Sequence, residues 1–376
     1  MGVMVNYRVY LYNVMTQDVY AEIPFSSLTY RYVMDDAGSA TVEIPIGVPK
    51  VGGQPLAPAD IFPARTGLVI QRGEDLVWGG IVWTYRLNLT SRTITLSALG
   101  YQSYYRYRVT GAAGSRFKNT EQTDMIKGLI SILRDGIKTD TSQLTGTNMV
   151  RTREWNPYEF KPLSDIFADL SDDITAIDPR TGKLGGGFFF YFEPYWITPG
   201  AKIGNRVINT PNRHPYDSGK SLQQGVNCEF PDISVDGTSL ATTCFAVGAT
   251  DGTKSLTPYA RDENTPLLKR IPHLSVVLNE TGIKQSSALQ YKVRSALAFG
   301  ANPVTLPTAE TYPGLFSPLE LKPGMRAGVT TDDGFLNLVN EDYAITETTV
   351  TVATDGNDRL ALSFVQTALF KETENG

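Results

Sequence analysis

The sequence predicts a mainly β protein with α+β insertions, and three observations support this fold class. Apolar residues alternate with polar ones over long stretches, which is the period of half-buried strands. The chain holds 34 Gly, 22 Pro, 19 Tyr and 16 Phe, a composition typical of strands joined by many turns. At 376 residues it is too long for one ordinary core, so we expect about two to four domains.

The stretch from Gly67 to Tyr107 is the best-specified β segment, with about four hairpin-linked strands. Such a segment is typical of a barrel or a strongly curled sheet. In its second half, one predicted face holds the large apolar residues Ile81, Trp83, Tyr85, Leu87, Leu89, Ile94, Leu96 and Ala98. The opposite, wet face holds Val82, Thr84, Arg86, Asn88, Thr93, Thr95 and Ser97.

The periodicity divides the chain further. Residues 1–107 form a first β domain, and from residue 108 the pattern becomes helical. One helix is capped by Asn119 or Thr120 and ends at Gly136, in the position expected of a left-handed cap. A second begins at Pro162 with Leu163, Ile166, Phe167 and Leu170 on one stripe. Residues 108–221 are therefore predicted to form an α+β domain.

The last third of the chain resembles the first. Asp232–Val247 repeats the strand, turn and strand pattern of Leu28–Ile44, and the hairpin Tyr343–Val365 matches Ile81–Leu99, with its turn at Asp355–Asp358. Its polar face holds Glu347, Thr349, Thr351, Arg359 and Ser363. We expect a second β domain from residues 222–257 with 319–376, and an inserted domain at 258–318 with one helix capped by Ser286 or Ser287 and stopped by Gly300.

Charge and composition narrow the classes of function. A net charge of -5 argues against sequence-specific binding of duplex DNA but is compatible with DNA in transit. The most apolar run, Phe188–Ile197, is far too short for a membrane span. Cys228 and Cys244 are close enough in sequence to be cross-strand neighbours, and the sequence leaves open whether they pair.

The sequence predicts no catalytic, metal or cofactor residues. His214 and His273 have no partners at metal-ligand spacing, and nucleophile and phosphate-binding motifs are absent. Two carboxylate pairs could serve glycoside hydrolysis. The favoured interpretation is structural, because the residues of both pairs lie near predicted helix ends. These pairs are Glu121 with Asp124 and Asp172 with Asp173. The run Tyr101–Arg108 could stack on bases, but packing against a neighbouring element is favoured.

Four segments resemble the minor tail proteins of long-tailed actinobacterial phages, which are similar to the baseplate hub or tail hub family. They are LVWGGIVWTYRLNL, YQSYYRYR, FPDISVDGTSLA and LKPGMRAGV, which begin at Leu76, Tyr101, Phe230 and Leu321. The resemblance implies two tail-tube-like β-barrel or sandwich domains with two smaller intervening domains. It also implies a homotrimer whose six barrels continue a hexameric tube.

The resemblance further implies a place at the virion tail tip after assembly in the host cytoplasm. The implied partners are a distal tail or tail tube protein, the tape measure protein, other minor tail or fibre proteins, and phage DNA only in transit. The sequence ends at Gly376 without the long extension of some relatives, so receptor-binding or cell-wall activity is expected of other tail proteins.

The two polar rows are the candidate functional residues, because small hydroxyls facing a water-filled channel would not retain passing DNA. The rows comprise Thr84, Arg86, Asn88, Thr93, Thr95, Ser97, Glu347, Thr349, Thr351, Arg359 and Ser363. The alternative is an ordinary solvated sheet face. Competing functions are a carbohydrate-binding or receptor-binding tail protein and a cell-wall hydrolase.

Overall fold

The structure is a computed structural model of the chain. It describes residues 6–132, 135–172, 176–177, 184–185, 187–248, 259–280, 286–332, 334–353 and 356–367. The fold is mainly β with α+β insertions, as the sequence predicts. Asp173 and Asp355 lie outside the described residues.

The elements follow in chain order. The first β unit contains β1 (Tyr7–Asn13), β2 (Val19–Ile23), β3 (Ser27–Val33), β4 (Asp36–Pro45), β5 (Thr66–Arg72), β6 (Asp75–Asn88) and β7 (Thr93–Gly100). The α+β unit contains a 3-10 helix (Tyr101–Tyr107), β8 (Ser115–Glu121), α1 (Gln122–Ile132), β9 (Val150–Trp155), α2 (Leu163–Asp172), β10 (Ala176–Ile177), β11 (Leu184–Gly185), β12 (Phe190–Thr198) and β13 (Lys202–Asn209).

The remaining elements form the second β unit and its insertion. The second β unit contains β14 (Tyr216–Gln223), β15 (Cys228–Asp236), β19 (Val304–Thr311), a 3-10 helix (Pro318–Glu320), β20 (Met325–Asp332), β21 (Asn337–Val352) and β22 (Asp358–Gln366). The insertion contains β16 (Thr243–Gly248), β17 (Tyr259–Glu263), α3 (Thr265–Leu268), β18 (Ser275–Glu280) and α4 (Ser286–Phe299).

One sheet of thirteen strands joins the two β units. Its order is β15-β19-β22-β21-β3-β4-β7-β6-β5-β1-β2, with β20 and β14 branching from β21. The hairpin β6–β7 and the hairpin β21–β22 form as the sequence predicts. The junction is the antiparallel pair between β3 and the C-terminal half of β21, where Leu28–Val33 lie opposite Glu347–Val352.

The strand order repeats between the two units. The order β3-β4-β7-β6-β5-β1 in the first unit corresponds to β15-β19-β22-β21-β20-β14 in the second, and the strands follow the same sequence order. One pair differs, since β1 is antiparallel to β5 whereas β14 is parallel to β20. A similar strand order is what the sequence-level repeat requires.

Asp232–Val247 contains the predicted strand, turn and strand, but its two strands do not pair with each other as β3 and β4 do. β15 pairs with β19, whereas β16 lies between β17 and β18 in a separate three-stranded sheet covered by α4. The insertion thus separates β15 from its partner β19, whereas the corresponding strands β3 and β4 are joined by a tight turn. We propose that the inserted domain spans about residues 237–303 rather than 258–318.

The alternation predicted for β6 holds only in part. Val82, expected on the wet face, is fully buried, because a register shift between Val82 and Thr84 places a bulge at Trp83. Trp83 is half-buried, while Leu87 and Leu89, expected inside, are exposed. Across the hairpin Ile94 and Leu96 are buried as predicted. The bulge shifts the alternation of the strand that carries it.

The helices of the insertions agree with their predicted apolar stripes. The buried residues include Leu163, Ile166, Phe167 and Leu170 in α2, and Leu289, Val293 and Leu297 in α4. The expected left-handed cap at Gly136 is wrong, because that glycine is not among those with positive φ. A large core lies on one face of the main sheet, and a second core lies between the first β unit and the α+β unit.

A buried ion pair crosses between the two β units. Asp358, expected in a turn, is fully buried as the first residue of β22, and one of its oxygens is 2.6 Å from Arg72 Nε on β5. The Tyr7 hydroxyl of β1 donates to the same carboxylate at 2.6 Å and lies 3.2 Å from the Tyr30 hydroxyl. Burial, and then the nearby Asp358 charge, raises the pKa of Tyr7 above its usual range.

Asp358→Ala is expected to destabilise the fold by about 3 to 5 kcal/mol, because it leaves the Arg72 guanidinium, 14% exposed, without its carboxylate. The matched control is Glu310→Ala, which removes the partner of Arg359 in an exposed pair at 3.3 Å and should cost less than about 1 kcal/mol. Denaturant unfolding of both variants measures the difference. Equal losses would contradict a structural role for the buried pair.

Candidate functional site

The strand register places both predicted polar rows on one continuous face. Directly opposed residues of an antiparallel pair point to the same side of a sheet. One row crosses six strands, from Thr84 through Ser97, Thr41, Thr29 and Thr351 to Arg359. We call the surface the polar face, and define it as Ser27, Thr29, Arg31, Thr41, Glu43, Thr84, Arg86, Asn88, Thr93, Thr95, Ser97, Asp232, Thr308, Glu310, Glu347, Thr349, Thr351, Arg359, Ala361 and Ser363.

The structure therefore brings together all eleven residues predicted from the two separate rows. None of the eleven belongs to a hydrophobic core, and each is exposed or half-buried. Their neighbours in sequence, among them Ile94, Leu96, Val350 and Leu362, point to the opposite side and fill the large core. Sequence reasoning missed the contribution of β3, β4 and β19, whose polar residues continue the same rows.

The charges of the polar face nearly cancel. Three arginines and four carboxylates are spread among hydroxyl-bearing residues. Arg31 lies 3.4 Å from Glu347 across the junction between the units, and Arg359 lies 3.3 Å from Glu310. Such exposed pairs add little stability, but they leave a surface without a strong field of either sign.

The aromatic and basic run after β7 packs largely inside the protein rather than at the polar face, and only Arg106 and Tyr107 in it are exposed. It forms a 3-10 helix in which Tyr101 and Tyr105 are buried in the core shared with the α+β unit. The Tyr12 hydroxyl donates to the Tyr101 hydroxyl at 2.9 Å, and Arg106 pairs with Asp36 at 2.9 Å. The packing interpretation of Tyr101–Arg108 is confirmed for these residues.

A cavity of about 310 Å³ lies where β12 of the α+β unit meets both β units. Glu193 of β12 lies 2.6 Å from Lys322 Nζ and 3.4 Å from Arg206. Burial raises the pKa of the Glu193 carboxyl, but the Lys322 and Arg206 charges outweigh burial and the pKa is lowered overall. A carboxylate held ionised between two cations acts as a structural link. We call these three side chains the Glu193 tie. In the sequence, the only feature that marks Glu193 is that it is the single acidic residue inside the apolar run Phe188–Ile197.

Two of the carboxylates considered for hydrolysis, Glu121 and Asp124, are occupied by local contacts. Glu121 accepts hydrogen bonds from the backbone N–H groups of Thr123 and Thr147 at the start of α1, and Asp124 pairs with Lys127 at 3.1 Å. Burial raises the pKa of Glu121, but hydrogen bonds from the Thr123 and Thr147 hydroxyls, and then from their backbone N–H groups, outweigh burial and the pKa is lowered. An ionised acid of this kind is a helix cap rather than a proton donor.

Three further observations concern predicted sites. Cys228 and Cys244 are both free and buried, on strands of different sheets. Among the residues that the structure describes, no three metal-binding side chains cluster. In the same part of the chain, no helix has the length and apolar character needed to cross a membrane.

Comparison with solved structures shows the class of fold. No protein-family model matches the sequence, and no curated protein matches it either. The structure is similar to the 43 kDa tail protein of prophage MuSo2 from Shewanella oneidensis, with a TM-score of 0.62, 11% identity, and coverage of 97% of this chain and 100% of that one. The chain thus has the fold of phage tail proteins.

Two further tail proteins share the fold. A tail protein of Neisseria meningitidis MC58 has a TM-score of 0.58 at 12% identity, covering 97% of this chain and 98% of its own. A prophage tail protein of Listeria monocytogenes EGD-e has a TM-score of 0.54 at 10% identity, covering 95% and 94%. Because these structures match almost end to end, the likeness includes both β units and both insertions.

The Glu193 tie predicts an acid-sensitive junction. Its lowered folded pKa means that it stabilises the fold above its ordinary value of 4.5, and that this contribution is lost as the pH falls through the folded pKa. The variant Glu193→Gln should therefore lose less stability than the wild type when the pH falls below about 4.5.

The measurement is the free energy of unfolding as a function of pH. The control is Glu154→Gln, since the Glu154 side chain is 54% exposed and should leave the pH profile nearly unchanged. Identical pH profiles for wild type and Glu193→Gln would contradict the stabilising role.

Proposed function

We propose that this chain is a structural hub at the tip of a phage tail. Three copies would form a ring that continues the channel of the tail tube and anchors other tail-tip proteins. The observation that carries the proposal is the repeated strand order, which gives each chain two similar β units in one sheet with one shared polar face. The resemblance to the hub family and the tail-protein fold support it.

The repeat suits an adaptor between different symmetries. A ring that joins a sixfold tube to a threefold tip needs six similar contacts on one side and three on the other. Two similar β units in each of three chains supply six units, while the α+β unit and the inserted domain occur three times. No chain then has a special position.

The polar face is the part of the chain suited to line such a channel. Hydroxyls and nearly balanced charges hydrate the wall without offering a basic track for phosphates. The net charge of -5 adds a weak repulsion of DNA over the whole chain. We propose that the distal tail or tube protein, the tape measure protein and other minor tail or fibre proteins bind the ring, and that DNA contacts it only in transit.

The copy number tests the proposal directly. Native mass of isolated tail tips, together with imaging of particles labelled on this chain, should show three copies on the tail axis. Six copies, or three copies placed away from the axis, would contradict the adaptor role even though the fold is that of tail proteins.

The wall chemistry gives a second test. Thr95→Arg with Thr349→Arg would add six positive charges to a trimeric channel, and we expect DNA release from triggered particles to slow at low salt and recover at high salt, because added arginines retain phosphates. The matched control adds the same charge with Ser286→Arg and Ser287→Arg, at two exposed residues at the start of α4. Unchanged release rates in assembled particles would argue against a channel-lining face.

A further inference from the structure

The junction between the two β units is formed by a strand that changes partner along its length. The N-terminal half of β21 pairs with β20, and its C-terminal half pairs with β3, while β22 follows it on the other side. The change of partner follows a bulge between Ile345 and Glu347. β3 thus docks on an edge that β20 leaves open.

The equivalent strand of the first unit, β6, leaves the same edge open in the part of the chain that the structure describes. The N-terminal half of β6 pairs with β5 as far as Ile81, and a bulge follows between Val82 and Thr84. In the strand pairing of the described residues, Thr84–Asn88 pair only with β7. Among the described residues, β15, the counterpart of β3, pairs only with the strand β19 and lies at one end of the sheet.

We propose that these two open edges pair with each other between copies of the chain. β15 of one copy would add antiparallel to the C-terminal half of β6 of the next copy, as β3 adds to β21 within the chain. This proposal rests on the proposed ring and specifies the contact that closes it. It does not depend on DNA passage or on any tail partner.

The register of the pair follows from the aligned bulges. Trp83 corresponds to Thr346, so Thr84 corresponds to Glu347 and Leu87 to Val350. Thr29 and Asp232 also correspond, because their partners Thr41 and Thr308 lie opposite Ser97 and Ser363. Applying the in-chain register places Ile233 opposite Leu87, Ser234 opposite Arg86, and Asp236 opposite Thr84.

Apolar burial supports this register. Within the chain, Tyr30 and Val350 lie opposite each other and are fully buried. The counterpart of Val350 is Leu87, which is 46% exposed, and Val235 beside Ile233 is 61% exposed. A strand added at this edge would cover Leu87 and Val235 and pair backbone groups that otherwise invite aggregation.

The charges along the two edges support this register as well. In the proposed register Arg86 lies opposite Ser234, with Asp232 and Asp236 at the two diagonal positions. Diagonal neighbours on adjacent strands are within reach of a long side chain. The in-chain junction contains the same kind of contact, since Arg31 reaches Glu347 diagonally at 3.4 Å. The two edges therefore carry opposite charges at matching places.

The geometry leads to a ring rather than a dimer. The edge on β6 and the edge on β15 are different surfaces of one chain, so each copy uses one to bind the previous copy and the other to bind the next. If the contact repeats the in-chain junction, every neighbouring pair of β units in the ring is joined in the same way. The strands around the channel then continue from one copy to the next, and the edges of β6 and β15 are both paired.

Paired cysteines test the register. In Leu87→Cys with Ile233→Cys, oxidation or a short bis-maleimide should link different copies and produce covalent dimers and closed trimers in a denaturing gel. The matched control is Leu87→Cys with Ser234→Cys, since Ser234 points to the opposite face and should give little linkage. The single variants measure the background from buried Cys228 and Cys244.

Leu87→Asp provides an independent measurement that does not threaten the fold, because Leu87 is exposed in the single chain. We expect it to lower the oligomer fraction at least tenfold with the thermal midpoint of the monomer unchanged. The matched control is Val277→Asp, an exposed aliphatic residue on β18 of the insertion, which should assemble normally.

The outcomes separate this contact from the proposed function. Three copies in the tail tip without linkage at Leu87 and Ile233, or with equal linkage in the control pair, would overturn the strand pairing and leave the hub proposal standing. Linkage of the expected pair into rings of another size would support the pairing and contradict the trimeric adaptor. Normal assembly of Leu87→Asp would also overturn the pairing.

Discussion

The antiparallel pairing of β3 with the C-terminal half of β21 is the contact on which the architecture depends. It joins two β units of similar strand order into one sheet, so that a single core serves both. The Arg72–Asp358 pair lies between the same units, and a buried carboxylate is tolerated there because an arginine and the Tyr7 hydroxyl both contact it. Relative motion of the units would expose this core and break that pair.

The insertions differ between the two units, whereas the order of six strands is the same in both. In the first unit a tight turn joins β3 to β4, and in the second the three-stranded sheet and α4 occupy the equivalent place between β15 and β19. Additions at turns leave strand register undisturbed. The polar face can therefore run over both units without interruption, while the two insertions occupy places outside its rows.

The sequence predicted the parts of the fold that local pattern determines. Strands with an unbroken period, such as β7, and helices with one apolar stripe, such as α4, have the expected buried residues. The partners of β15 and β16 were mispredicted because adjacent strands in sequence usually form hairpins, and nothing local marks an insertion. The two polar rows were found, but their union in one face was not, because it depends on the long-range pairing of β3 with β21.

Leu87 shows why a correctly identified alternation can still lead to a wrong prediction of burial. In β21 the equivalent Val350 is buried, because β3 lies alongside and closes the core beneath it. In β6 no strand lies alongside Thr84–Asn88 in the described part of the single chain, so Leu87 keeps the alternation of a core residue while its side chain is 46% exposed. Alternation records which side of the sheet a residue faces, whereas burial also requires a neighbour on each edge. Leu87 is therefore exposed because the edge beside it has no neighbouring strand among the described residues, and not because it faces the polar side of the sheet.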